Sequence, residues 1–205
     1  MRVVSVQKYK GNTFIVEFDN EKNAYLNRDI IFQYRIGEGV ELSDELFEEI
    51  LFASDLRRAR ERALYLLEVR DHSMKELYVK LRRNYPDEVC RKICAEMKKA
   101  GLVDDRRYAE RLAEEFINIK RWGKYRAVFE MQRRGISKEL AEELVESYED
   151  DSIERLKELV ETKYARYLVD GKGFLKVKNA LARQGYAYGD INEVLAEYKD
   201  FDKED

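Results

Sequence analysis

The sequence predicts a mainly α-helical protein. It reads as a tandem array of three three-helix repeats, α-solenoid-like, elongated and curved, with a small N-terminal β-rich segment. Three observations predict this class. The chain repeats with a period of 50 residues, so that Ser73, Gly123 and Gly173 fall into register. Leu77, Ala127 and Val177 align next, then Leu81, Met131 and Leu181, then Arg83, Arg133 and Arg183, with Gly135 and Gly185 two residues later. A fixed period of this size marks supersecondary units that bury their apolar faces only by stacking on one another, and it suits an elongated partner. Charged residues make up 40% of the chain and proline occurs once, a composition that favours helix. Finally, β-branched and aromatic runs broken by turn residues are confined to the first 40 residues.

The predicted divisions are a β-rich segment over 1–42, a linker helix with repeat one over 43–103, repeat two over 104–150 and repeat three over 151–205. Arg2–Tyr9 alternates loosely, Lys10, Gly11 and Asn12 supply a turn, and Thr13–Phe18 is a second strand. Asp19–Asn20 turns the chain into Ala24–Leu26, and Ile30–Tyr34 reads as a fourth short strand. Such a meander is too small to stand unless it packs on the helices after it. Ser43 caps an acidic helix whose Leu46, Phe47, Ile50 and Leu51 form one face. Ser54, Asp104 and Glu154 mark the start of a first helix in each repeat, with Ala59, Ala109 and Leu159 in one register and Leu67, Ile117 and Tyr167 in another. Ser73 with Glu76 is a capping box for the second helix of repeat one, and Gly123 and Gly173 open its equivalents. Asn84–Tyr85, Gly135 and Gly185 end those helices with residues that tolerate the left-handed conformation. Third helices span Pro86–Ala100, Ser137–Tyr148 and Asp190–Tyr198, with Val89, Ile93, Met97, Leu140, Leu144, Ile191 and Leu195 as their apolar residues.

No run approaches the ~18 apolar residues of a membrane span, and Lys8 and Lys10 interrupt any leader-like stretch near the N-terminus. A cytoplasmic protein with no membrane partner is expected, and the highly charged surface makes a monomer the default. Net charge is -3, but its distribution is uneven. Residues 36–55 hold seven acids and no base, whereas 119–134 hold six bases and one acid and 172–185 four bases and no acid. Residues 137–161 reverse to three bases against ten acids. Positive sites one repeat apart fit a polyanion or an acidic protein surface; the alternative is solvated helix faces laced with ion pairs.

Sites of chemistry are scarce. His72 is the single histidine, which excludes histidine triads and multi-histidine metal sites, and it is expected to be an exposed polar residue. Cys90 and Cys94 lie four apart on one helix face and read as buried thiols, since no second pair completes a metal site. Adjacent Asp104 and Asp105 point about 100° apart on a helix, so capping is favoured over a shared metal or proton. Gly171 and Gly173 lack the spacing of a phosphate loop and mark a helix junction. These residues supply no catalytic group, metal site or cofactor site, and no enzyme is expected. Lys120, Arg121, Trp122, Lys124, Tyr125 and Arg126 form the most suggestive cluster, two aromatics among four bases, a composition that stacks on nucleic-acid bases or grips a polar surface. Core burial of Trp122 between helices is the competing account.

The stretch from Arg70 through Asp71, His72, Ser73 and Glu76 to Leu77, with Lys80 and Leu81 after it, resembles the first-repeat signature of the RecX family. Gly101, Leu102, Asp104, Asp105, Tyr108 and Ala109 are similar to that family's most specific segment. Lys120 to Gly123, then Glu130, Met131 and Arg134 to Ile136, resemble its second-repeat signature. The likeness covers residues 55–200. Ala127 and Met131 stand where the family usually has larger aliphatics, and Asn84–Tyr85 replaces an expected glycine. The resemblance implies a regulator of the RecA recombinase in homologous recombination, DNA repair and the SOS response. Such proteins bind RecA or the RecA–single-stranded DNA filament and inhibit its ATPase, growth and strand exchange. On that reading Arg70, Lys120, Arg121, Trp122, Lys124 and Arg126, with the repeated Arg83, Arg133 and Arg183, are the expected contacts. Direct binding of single-stranded DNA is the alternative partnership.

Overall fold

Three antiparallel strands open the chain, β1 (Val3–Lys10), β2 (Thr13–Phe18) and β3 (Asn23–Asn27), in the order β1-β2-β3. The structure is a computed structural model that describes residues 1–148 and 151–198. Val16 of the central strand pairs with Val6 on one side and Ala24 on the other. One sheet face, with Val3, Val16, Phe18 and Leu26, joins Ile30, Phe47 and Ile50 in a common core. The expected fourth strand at Ile30–Tyr34 is instead the helix α1 (Arg28–Gln33). Asn27 caps it by accepting the Asp29 amide at 3.0 Å, and Ile30 faces the core while Phe32 points to solvent. A short apolar run carries no periodicity able to separate the two states, and the cap decided it.

Helix α2 (Asp44–Val69) starts at Ser43, whose hydroxyl accepts the Leu46 amide. It runs unbroken for 26 residues, so Ser54 does not start a helix. No Gly or Pro interrupts the stretch, and Ser54 is buried on the same face as Phe47 and Ile50. α3 (Met74–Leu81) and α4 (Asp87–Lys99) complete the first repeat, with α4 packed on α2 and tied to it by Arg60 and Glu96 at 2.9 Å. Asn84 is not left-handed; its amide bonds Leu81, and the helix end closes through right-handed turns.

The second repeat comprises α5 (Asp105–Glu114), a π turn over Glu115–Ile119, α6 (Lys124–Arg133) and α7 (Lys138–Glu146). The third comprises α8 (Ser152–Leu159), a π turn over Val160–Tyr164, a 3-10 turn over Ala165–Tyr167, α9 (Gly171–Arg183) and α10 (Tyr188–Ala196). Each has its own core. Phe116, Ile117, Ala127 and Met131 centre the first, and Leu156, Val177, Leu181 and Ile191 the second. Ala141 and Val145, rather than Leu140 and Leu144, are the fully buried residues of α7, because the helix is turned by one position from the expected face. Asp170, not Gly173, caps α9, accepting the Gly173 amide at 2.6 Å. Tyr167 does not share the burial of Ile117, because the π and 3-10 turns rotate it away from the core. The division expected at residue 150 and the tail beyond 198 fall on or beside positions outside the described residues.

Compactness divides the chain into two units, one of Met1–Arg70 with Leu77–Leu102, the other of Asp71–Glu76 with the chain from Val103. The boundary passes through α3, whose first turn belongs with the second repeat. His72, two residues ahead of that turn, is buried, contrary to its expected exposure. Its neighbours explain this: Ser73 donates to the Arg134 carbonyl and the Met74 amide to the Asp105 carboxylate, all within the same unit, which holds His72 inside it.

Cys90 and Cys94 are buried in α4 as small apolar groups. Loss of hydration pushes the Cys94 thiol up to about 11, and Cys90 in the same direction. An unfolded thiol ionises near 8.5. A raised folded-state value means that this preference for the neutral thiol is full below about pH 8.5 and is lost as pH climbs towards 11. At pH 8 both thiols should resist a disulfide reagent in the native protein and react at once in denaturant. Fast labelling without unfolding would show that α4 is not packed as described.

Candidate functional site

The second helices α3, α6 and α9 bury one stripe each: Leu77 and Leu81, Ala127 and Met131, Val177 and Leu181. Two positions away along a helix is about 200°, so the residues between these point outward. That outward stripe is Lys75, Val79 and Arg83 in the first repeat, Tyr125, Phe129 and Arg133 in the second, and Leu175, Asn179 and Arg183 in the third, all exposed. Each stripe places apolar or aromatic surface on the same face as a terminal arginine. Val79, Tyr125, Phe129 and Leu175 were not among the expected contacts. Their signal in the sequence is their position in the same 50-residue columns, on the face opposite the core.

The columns have a structural cause. The N-terminus of α6 docks on the C-terminus of α9: the Gly123 amide donates to the Gln184 carbonyl at 2.9 Å and the Tyr125 amide to Gly185 at 3.2 Å. A β-carbon at Gly123 would overlap the Gly185 carbonyl. The start of α3 meets the end of α6 through a side chain instead, with Ser73 Oγ donating to the Arg134 carbonyl at 2.5 Å. A β-carbon at Gly135 would lie 2.6 Å from that hydroxyl. Gly135 and Gly185 are both left-handed, at φ 85° and 91°. At α6 the orphan amides of a helix start are thus satisfied by the orphan carbonyls of another helix end. The capping box of Ser73 and Glu76 is present, with a further cap from Asp105, which accepts the Met74 amide at 2.7 Å.

Around Trp122 the structure gathers Lys120 and Arg126. The indole packs partly buried on Phe116, with ring centroids 4.8 Å apart. Arg126 lies 4.2 Å and Lys120 4.8 Å from the Trp122 ring centre. Arg126 also donates to the Arg183 backbone carbonyl at 3.5 Å. Arg121 is left-handed at φ 54°, a conformation that costs a β-carbon-bearing residue ~1–2 kcal/mol. The Tyr186 hydroxyl donates to its carbonyl at 3.1 Å, and burial pushes that phenol up to about 12. The indole is therefore half anchor and half platform.

Much of this cluster's charge is spent locally. Lys120 pairs with Glu115 at 2.7 Å, Arg121 with Glu158 at 3.2 Å and Lys124 with Glu146 at 2.6 Å, while Arg133 pairs with Glu130 of its own helix. Arg83 and Arg183 make no ion pair among the described residues. Arg70 is exposed at the end of α2 and, with Arg83, belongs to the other compact unit. Asp104 caps α5 by accepting the Arg106 and Arg107 amides, which hold its carboxyl below the usual range. Both aspartates of the pair are thus engaged with backbone. Among the described residues no group of three metal-ligating side chains converges, and no helix is long and apolar enough to cross a membrane.

Two of these repeats match known domains. The description "RecX, first three-helix domain" matches residues 59–97, and "RecX, second three-helix domain" matches 104–145. Regulatory protein RecX of Clostridium acetobutylicum is 27% identical over 95% of this chain and 94% of its own length. That of Geobacillus kaustophilus is 28% identical over 84% of this chain and 65% of its own. Among solved structures, one regulatory protein RecX has a TM-score of 0.67 at 19% identity, covering 96% of this chain and 98% of that one. RecX from Lactobacillus salivarius has a TM-score of 0.64 at 25% identity, covering 71% and 97%.

Proposed function

This chain belongs to the RecX family, and from that premise we propose that it is a non-enzymatic, cytoplasmic regulator that binds RecA or the RecA–single-stranded DNA filament and inhibits its ATPase, growth and strand exchange. The observation that supports this reading is the recurrence of one exposed arginine, preceded by apolar or aromatic surface, on the second helix of every repeat. Positive positions that recur from repeat to repeat with a hydrophobic component suit a partner that itself repeats and is acidic at its contact surface.

The test is the single-stranded-DNA-dependent ATP hydrolysis of RecA with this protein titrated in, beside a titration of bare strand at the same salt. Inhibition at substoichiometric protein is expected, with bare strand far from saturated. Arg83→Glu, Arg133→Glu and Arg183→Glu should each raise the half-inhibiting concentration about 5- to 10-fold, and the triple variant should abolish inhibition. Melting should stay unchanged, because exposed charges of this kind contribute ~0–1 kcal/mol. Full inhibition by the triple variant removes these arginines from the interface.

A second reading, competition for single-stranded DNA, is favoured by the cations of the third repeat. It predicts inhibition only where bare strand is also bound, and an affinity that falls steeply with salt.

A further inference from the structure

Between the loosened end of α8 and the first turns of α9 lies a cleft of ≈ 440 Å³, within the size range of small-ligand sites. It is built by the π and 3-10 turns after Leu159, where the chain abandons regular helix and turns the Tyr167 ring outward. Tyr167 is 47% and Val169 74% exposed on its wall. Tyr164 is fixed there by Gln184, whose Nε2 donates to its hydroxyl at 3.0 Å. Arg166 lies 4.8 Å from the Tyr167 ring centre, and Lys172 and Lys176 approach from α9.

The electrostatics separate this place from the rest of the surface. Among the described residues, none of Arg166, Lys172 and Lys176 makes an ion pair, whereas the cations around Trp122 are mostly neutralised by glutamates. The one acid on the wall, Asp170, is committed to capping α9. An apolar, aromatic wall beside three uncompensated cations is complementary to a ligand with a flat ring at one end and an anion at the other. The residues that match the family's two domains stop at 145, so the cleft lies outside both.

We propose that this cleft binds a nucleotide unit, its base against Tyr167 and Val169 and its phosphate held by Lys172, Lys176 and Arg166. The unit is either a free mononucleotide or one residue of a single strand. The assignment stands on the third repeat alone and does not rest on the RecA reading.

The experiment is fluorescence anisotropy of a labelled oligothymidylate with the full chain and no RecA present, competed with thymidine 5′-monophosphate and with inorganic phosphate. Tyr167→Ala should weaken strand binding about tenfold, in line with the loss of one stacked base, while Tyr167→Phe should stay within about twofold. The Lys172→Gln, Lys176→Gln double variant should flatten the slope of log affinity against log salt by about 1.4, for two phosphate contacts on a single strand. Displacement by micromolar monophosphate assigns the free nucleotide as ligand; displacement only at millimolar levels assigns the strand. The proposal is overturned if Tyr167→Ala binds like the parent, or if phosphate displaces the strand as well as the monophosphate does. Because no RecA is present, such a failure leaves the filament reading standing, and loss of ATPase inhibition leaves this one standing.

Discussion

Gly185→Ala is expected to lower the melting temperature by roughly 10 °C. Gly185 sits at φ 91°, where a β-carbon costs ~1–2 kcal/mol. The added methyl would overlap the Arg126 amide and lie 2.5 Å from the Arg126 β-carbon. Relieving that overlap by moving α6 from α9 breaks the Gly123–Gln184 and Tyr125–Gly185 hydrogen bonds, each worth ~1 kcal/mol. Strain, overpacking and lost bonds together reach ~3–5 kcal/mol, and each kcal/mol moves the midpoint of a chain this size by ~2–4 °C. Gly189→Ala is the control, because open space surrounds that helical glycine and alanine is the better helix former. Thermal unfolding followed by circular dichroism measures both. A Gly185→Ala midpoint within 2 °C of the parent would sink the docking account.

Tyr125→Ala combined with Phe129→Ala should weaken the proposed inhibition of RecA about 100-fold while leaving the melting temperature within 2 °C. Both rings stand on the outward face of α6, 64% and 58% exposed, so the fold does not depend on their burial. Large exposed aromatics beside an arginine are the composition of interface hot spots, which contribute ~2 kcal/mol or more each. Their effects are not additive, and ~3 kcal/mol for the pair corresponds to the stated factor. Arg133, 6.0 Å from the Phe129 ring, should lose part of its own effect in the double variant, so a triple variant with Arg133→Glu is expected to be less than additive. Unchanged half-inhibition, measured in the same ATPase titration, would take this face out of the interface. A large drop in melting temperature would instead show the rings to be structural.

The repeat columns made the helices legible, because a residue recurring every 50 positions reports its own environment. Buried Leu77, Met131 and Leu181 were readable from that register, and so were the caps at Ser43, Ser73 and Asp104. Contacts between positions distant in sequence set the features that escaped. The burial of His72 comes from bonds made by its neighbours to residues 31 and 61 positions away. The neutralisation of Lys124 comes from Glu146, and that of Arg121 from Glu158, on other helices. Tyr167 was misplaced for a different reason. An inserted π turn shifts the helical face, so counting from Leu67 and Ile117 gives the wrong direction once the chain leaves regular helix. The cleft beside Tyr167 was invisible for the same cause.

The docking rule also has a direction. The starts of α3 and α6 rest on the ends of α6 and α9, so a glycine is demanded at a helix end only where a preceding repeat leans on it. Gly135 and Gly185 meet that demand, and Asn84, on which no helix start rests among the described residues, is released from it. Lengthening this architecture is therefore constrained at both ends. At the third repeat α9 already starts at Gly171, and Gly173 is closed on the Tyr167 carbonyl, so its start is not the docking surface that Gly123 presents. A unit placed before the first repeat would require a substitution at Asn84.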